Sequence, residues 1–283
     1  MRVLRARNAG FCMGVALAMN KLDLALNAPR RTGRIVTFGP LIHNPQVLDE
    51  YAQKGAVCTE VLADIQPGDS VIIRAHGIPR AMETALKKAG AQLIDATCPR
   101  VKKAQQGIAA QDALKRRLLL LGEAEHPEVR GLISYAQPGA LVFSSLKELQ
   151  ELAPEPSGAW FLATQTTQGV EEFEKVAAWL VEHMEKEIPV LSTICEATRL
   201  RQEEARNLAG QANALVVVGG LNSGNTRRLA QVAEEMAIPA YHIEKPEQLP
   251  LAELKPYALV GLTAGASTPK RQIDEVQRVL ENL

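Results

Sequence analysis

The sequence predicts an α/β fold with mainly parallel sheets, and three observations predict it. Short apolar runs of strand length alternate with amphipathic helical stretches from one end of the chain to the other. Nearly every such run is followed by a polar loop and then a helix, the order that a parallel crossover needs. The composition is that of a globular protein, 46% apolar and 23% charged over 283 residues, enough for one large core or two to three small domains.

In chain order the expected strands are residues 3–6, 35–38 (IVTF), 71–74 (VIIR), 92–95 (QLID), 117–121 (RLLLL), 140–143 (ALVF), 160–163 (WFLA), 190–194 (VLSTI), 214–218 (ALVVV), 240–243 (AYHI) and 257–262 (YALVGL). Between them the apolar period changes from strand to helix. After Cys12, residues Ala18, Leu22, Ala25 and Leu26 share one helical face; after Cys98, Val101, Ala104 and Ile108 do the same. Pro99 stands where a first helical residue tolerates a missing N–H. The one linker-like stretch, residues 153–158 (APEPSG), is short enough to be a loop.

Lysine plus arginine equals aspartate plus glutamate, 32 each, so no bulk field draws nucleic acid or a membrane surface. Aromatics at 4% speak further against base stacking. The start, MRVLRAR, enters a strand-like pattern without a signal-peptide core, and no apolar run approaches the ~18 residues of a membrane span. The expected location is the cytoplasm, where thiols stay reduced.

Three of the four cysteines each close an apolar run and open a helical stretch: Cys12 in GFCMGV, Cys98 in DATCPR and Cys195 in TICEAT. They lie 86 and 97 residues apart, each about the length of a small α/β unit. A thiolate at a helix N-terminus is stabilised by unpaired N–H groups and the macrodipole, which suits it to metal. Structural zinc sites take cysteines in close pairs, and no pair here is closer than 40 residues. Three thiolates fit a 4Fe-4S cluster with one iron left open for substrate, whereas the competing reading is three ordinary buried thiols. Cys58, in AVCT, has no comparable setting and is read as a core or surface thiol.

His43, His76 and His126 fall a few residues past a strand, where open α/β sheets form ligand crevices; His183, in a helix over 172–185, and His242, inside a strand, do not. Glu128 follows His126 by two residues, so the pair suits a proton donor and a charge-bearing neighbour, or else a solvated loop. Three more strand ends carry loops of small and polar residues: TQTTQ, GGLNSGNT and TAGASTP. They read as a phosphate or diphosphate cradle, against the alternative of plain turns and caps. The absence of G-x4-G-K-[ST] excludes a P-loop.

The segments GFCMGV, GPLIHNPQ, RAHGIP, DATCP, GEAEHPEV, TQTTQ, STICEAT, NSGNTRRL and TAGAS, in that order across nearly the whole chain, resemble the IspH/LytB family of 4-hydroxy-3-methylbut-2-enyl diphosphate reductases. The resemblance implies a trefoil of three pseudo-repeated α/β domains around a central 4Fe-4S cluster held by Cys12, Cys98 and Cys195. The domains would be residues 14–97, with His43 and His76; 98–194, with Cys98, His126, Glu128 and Thr166; and 195–283 plus 1–13, with Cys12, Cys195, Ser223, Asn225 and Ser267. It implies reductive removal of an allylic hydroxyl to give isopentenyl and dimethylallyl diphosphates, the last step of the non-mevalonate isoprenoid pathway. Diphosphate contacts are implied for His43, His76, His126, Ser223, Asn225 and Ser267, with backbone from Gly224. Thr166 would orient the substrate hydroxyl, with Thr167 beside it, and Glu128 would deliver the proton. The partners implied are the allylic diphosphate and an electron donor such as ferredoxin or flavodoxin. Two positions depart from the family pattern: Leu221, where lysine is common, and Lys270, where an acidic residue is frequent. A non-reducing 4Fe-4S enzyme with another substrate, and a noncatalytic binder of phosphate ligands, are the two alternatives.

Overall fold

The structure is a computed structural model that describes residues 1–29 and 33–283. Every strand pairing among the described residues is parallel. In chain order the elements are β1 (Arg2–Arg5), α1 (Met13–Leu26), β2 (Ile35–Phe38), α2 (Pro45–Gln53), β3 (Ala56–Thr59), β4 (Ser70–Ile73), α3 (Arg80–Lys88) and β5 (Gln92–Asp95). Then come α4 (Pro99–Ala113), β6 (Arg117–Leu121), α5 (Pro127–Ile133), β7 (Leu141–Phe143), α6 (Leu146–Leu152), β8 (Trp160–Thr164) and α7 (Val170–His183). The chain closes with α8 (Glu196–Ala209), β9 (Ala214–Val218), α9 (Gly224–Glu235), β10 (Ala240–Ile243), α10 (Leu251–Leu254), β11 (Leu259–Ala264) and α11 (Lys270–Glu281).

The chain divides into two compact units. One comprises Met1–Ala16, Ile42–Glu50 and Glu196–Leu283; the other comprises Leu17–Leu41 and Tyr51–Cys195. The first is built on a sheet ordered β1-β11-β9-β10, so the N-terminal strand is added beside the last strand of the chain. The second holds two sheets, β3-β2-β4-β5 and β7-β6-β8. These three parallel sheets are the α/β architecture that the alternating pattern predicts.

Strands covered on both faces read as apolar runs, whether central like β9 or outermost in the sheet like β8. Thus β9 (ALVVV) and β8 (WFLAT) are buried at every position. Residues Ala104 and Ile108 of α4 pack with Leu118, Leu120, Phe161 and Ala163 of β6 and β8, with Val101 also buried, as the helical spacing requires. Ala18, Leu22 and Ala25 of α1 are buried likewise. Each fully buried side chain of this size contributes about 1.5–3 kcal/mol of transfer free energy.

Strand placement departs from the sequence expectation by two residues or more in three places. Residues 190–194 are not a strand: Val190 makes an isolated bridge to Leu162, and the ladder then passes to a side chain. Thr193 Oγ1 accepts the N–H of Thr164 and donates to its carbonyl, each at 2.7 Å, which ends regular pairing. Conversely, β3 carries Cys58 on a sheet edge, with Val57 and Cys58 both exposed, so no burial pattern marks it in the sequence. The last strand begins at Leu259 rather than 257, because the Tyr257 N–H turns back to Leu254 O. Residues 153–158 form the expected loop, opened by Ala153 in the left-handed conformation (φ 45°).

Candidate active site

Each of the three repeated cysteines stands immediately before a long helix: Cys12 before α1, Cys98 as the N-cap of α4 with Pro99 at its first turn, and Cys195 before α8. All three stand outside disulfides and are half-buried. Their main chains are anchored in one way. The N–H groups of Cys12, Cys98 and Cys195 donate to the carbonyls of Ala266, Ala75 and Thr166, at 3.2, 2.9 and 2.9 Å. Each acceptor lies two residues beyond a strand, β11, β4 and β8 respectively. The same construction, used three times, fixes each thiol beside a strand-exit loop that carries a predicted binding residue: Ser267, His76, or Thr166 with Thr167. The helix terminus also reaches the sulfur itself, since the Val15 N–H donates to Cys12 Sγ at 3.5 Å.

In the unit of residues 17–41 and 51–195, the loop after β6 meets the loop after β8. His126 caps α5, its Nδ1 accepting the Glu128 N–H at 3.1 Å. A ring that accepts at Nδ1 carries its proton on Nε2, which therefore points a donor away from the helix. The His76 and His126 rings meet edge to face, 5.4 Å between centroids. Glu128 is 2% exposed. Its two oxygens accept from the N–H and the hydroxyl of Thr166, at 2.6 and 2.9 Å. Burial pushes the carboxyl up to about 7, against the two Thr166 bonds that favour the charged form. Thr166 thus holds Glu128 with its donors and Cys195 with its carbonyl.

In the other unit, Ser223 caps α9 by accepting the Thr226 N–H at 3.4 Å. Ser223, Asn225 and Ser267 are all buried, and Asn225 Nδ2 is a buried donor without a hydrogen-bond partner among the described residues. Such a group is costly unless a ligand completes it. Ser267 Oγ donates to the His43 carbonyl at 3.0 Å, and a Cβ on Gly220 would stand 2.3 Å from that carbonyl, so only glycine permits the approach. Asn44 accepts the Val47 N–H at the start of α2 and donates to Gln272 at 3.0 Å, which fixes the His43 loop to α11. Under the sequence expectation of a diphosphate cradle, truncating Asn225 or Ser223 to alanine should weaken binding of that ligand by about 1.5–3 kcal/mol, the worth of a bond to a charged group, and raise KM roughly ten-fold or more. A titration showing unchanged affinity in both variants would remove these residues from the cradle.

A family model described as LytB protein matches residues 3–281 of this geometry's sequence. The chain belongs to the LytB family. Among LytB-family relatives it is 54% identical to the 4-hydroxy-3-methylbut-2-enyl diphosphate reductase of Nitratidesulfovibrio vulgaris (strain DP4), with all of both chains covered. It is 42% identical to the enzyme of that name from Citrifermentans bemidjiense, over 98% of this chain and 95% of the relative. Among solved structures it resembles (E)-4-hydroxy-3-methyl-but-2-enyl diphosphate reductase, the terminal enzyme of the non-mevalonate pathway, at 36% identity and a TM-score of 0.70 with both chains fully covered. The reductase from Plasmodium falciparum superposes at a TM-score of 0.92 with 25% identity, covering 98% of this chain and 87% of that one.

Within this LytB-family chain the structure sorts the sequence-predicted residues by unit. Residues 1–16, 42–50 and 196–283 bring Cys12, His43, Ser223, Gly224, Asn225 and Ser267 into one unit; the other contains His76, Cys98, His126, Glu128, Thr166, Thr167 and Cys195. His183 stacks on Trp179 at the exposed end of α7, whereas His242, inside β10, bonds the carbonyl of Gly219, the first residue of the GGLNSGNT loop, at 2.9 Å. The two positions that the resemblance marks as departures are at the surface. Leu221 is 48% exposed and its N–H is taken by Glu244, while Lys270 pairs with Asp274 at 3.3 Å along α11. Sequence reasoning missed Gln165, whose side chain accepts the Glu123 N–H at 3.1 Å and donates to Thr167 at 3.0 Å, joining the loops after β6 and β8. It also missed Arg201. Its signal was a polar residue on the face of α8 that otherwise buries Thr198, Ala205 and Leu208.

Proposed function

We propose that this chain is a 4-hydroxy-3-methylbut-2-enyl diphosphate reductase, an oxidoreductase that removes the allylic hydroxyl of its substrate as water and yields isopentenyl and dimethylallyl diphosphates. The observation that carries the reading is a buried, protonatable Glu128 held by Thr166, which in turn anchors Cys195. Full-length likeness to relatives of that name supports it.

The donor set fits a 4Fe-4S cluster: three half-buried thiols outside disulfides, each at a helix N-terminus with its main chain fixed. In our reading Cys12, Cys98 and Cys195 hold it, and when bound it supplies electrons and an open iron to the substrate oxygen. Each sheet with its helices is then one of three repeats, residues 14–97, 98–194, and 195–283 with 1–13. An external donor such as ferredoxin or flavodoxin feeds the electrons. No helix among the described residues is long and apolar enough to cross a membrane, and we assign the enzyme to the cytoplasm.

The protein's own residues do the rest. His43, His76, His126, Ser223, Asn225 and Ser267 bind the diphosphate with donors and partial positive charge, and Gly224 adds its N–H at the start of α9. Hydroxide is a poor leaving group, so an acid must protonate it, and a carboxyl near 7 is poised for that at neutral pH. Thr166, with Thr167 next to it, orients the hydroxyl toward Glu128.

The sign of the pH dependence follows. Activity needs protonated Glu128, so kcat should fall as pH rises through about 7. Thr166→Val deletes a bond that favours the carboxylate, so its alkaline limb should move to higher pH. A limb at the same pH, or one moved down, would detach Thr166 from the titrating group. The function itself is tested by purifying the chain without oxygen and supplying the diphosphate with and without reductant. A brown protein that consumes substrate only with reductant is expected; consumption without electrons would indicate a dehydratase, and no consumption a binding protein.

A further inference from the structure

The helix α8 starts directly after Cys195, and its buried face carries an arginine. Arg201, 5% exposed, donates from Nη2 to the Gly10 carbonyl and from Nη1 to the Ala197 carbonyl, both at 2.8 Å. Gly10 precedes Cys12 by two residues, and Ala197 follows Cys195 by two. One turn along, the Glu204 carboxylate accepts the N–H groups of Arg7 and Asn8, at 2.6 and 2.9 Å. The segment that delivers Cys12 is therefore gripped by α8 through its N–H groups and through a carbonyl. Gly10 itself has φ 105°, a left-handed conformation that a side chain would strain.

A guanidinium is charged at any working pH, and burying it is costly unless acceptors surround it. Lysine would serve a surface role as well; a buried fork on two carbonyls beside ligand-bearing segments has a narrower use. The Gly10 and Cys12 Cα atoms are at most two chain steps, ~7.6 Å, apart, so the guanidinium is bonded to the short segment that carries that ligand. In a low-dielectric interior a fixed cation on that segment favours whichever state of a neighbouring centre carries the extra electron.

We propose that Arg201 is a positioning residue that holds the Cys12 segment and supplies a permanent positive charge favouring the reduced form of the redox centre. The inference rests on the reading that Cys12, Cys98 and Cys195 hold a 4Fe-4S cluster. In the reduction concerned, one electron passes from an external reductant such as dithionite to the oxidised cluster, whose net charge becomes more negative by one. No bond to Arg201 forms or breaks.

The experiment is an anaerobic redox titration of the holoprotein, its Arg201→Gln and Arg201→Lys variants, with iron and sulfide measured on each. Glutamine keeps a hydrogen-bond donor and loses the charge; lysine keeps the charge and loses the fork. All three should retain the cluster. At a fixed poise the reduced-to-oxidised ratio of Arg201→Gln should fall about ten-fold, a shift of about 59 mV for one electron, while Arg201→Lys stays close to the parent. An Arg201→Gln protein with its cluster intact and an unchanged potential overturns the proposal. So does an Arg201→Lys shift as large as that of Arg201→Gln, which would make loop geometry the cause. Should Arg201→Gln fail to fold, Arg201→Lys decides alone: an unchanged potential supports the charge role and a lowered one refutes it. A parent protein without any cluster contradicts the proposed function instead, so the two failures are distinct.

Discussion

Cys98→Ser should purify nearly free of iron and without activity, and Cys12→Ser and Cys195→Ser should behave alike. Serine offers a hard, far less acidic oxygen where a thiolate is needed. The fold should survive, because what anchors each position is the main chain: the Cys98 N–H bond to Ala75 and the Pro99 start of α4 do not involve sulfur. Loss of metal with an intact circular dichroism spectrum is thus the expected pair of readings. Cys58→Ser is the internal control, since that thiol is exposed on the edge strand β3. Full iron in any of the three variants, or iron loss in Cys58→Ser alone, would show that the ligand set is misassigned.

Glu128→Gln should bind substrate normally and lose about 10²–10⁴ in kcat, the usual worth of a general acid. The amide oxygen can still accept the Thr166 N–H, so geometry is kept while the transferable proton is gone. Stability should move the other way. The folded-state carboxyl titrates near 7, above its ordinary 4.5, so between these values the folded chain binds a proton that the unfolded chain has released. Stability therefore falls as pH rises across this window and is constant above it, a cost of up to about 3 kcal/mol that glutamine escapes. Melting curves should show Glu128→Gln above the parent at about pH 8 and level with it at about pH 4. A variant with near-normal turnover would exclude Glu128 as the acid; one that fails to bind would make it a binding residue.

What was legible in the sequence was whatever repeats a local rule. Strands β2, β6 and β9 start and stop where their apolar runs do, because both of their faces are buried; β5 and β10, only partly buried at sheet edges, keep the same bounds. The helices after Cys12, Cys98 and Cys195 were visible because each opens where an apolar run ends, Cys98 with a proline behind it. What was not legible depends on partners distant in the chain. Nothing local shows that Thr193 replaces a strand bond to Thr164, that Gln165 ties Glu123 to Thr167, or that Arg201 seizes the Gly10 carbonyl. Glu128 was singled out for its neighbour His126, yet its two oxygens are held by Thr166, 38 residues away. The edge strand β3 escaped for the opposite reason: exposed on its outer side, it has no burial to advertise.

The reaction proposed for this chain is a two-electron reductive loss of a hydroxyl, so the number of electrons taken up per product decides it. The anaerobically prepared protein is mixed with a limiting amount of the hydroxylated diphosphate and titrated with a one-electron donor while both diphosphate products are quantified. Two electrons should be consumed for each molecule of isopentenyl plus dimethylallyl diphosphate formed, with no product before the donor is added. Product formed without uptake of electrons, or electrons consumed while the hydroxyl remains on the substrate, would contradict it.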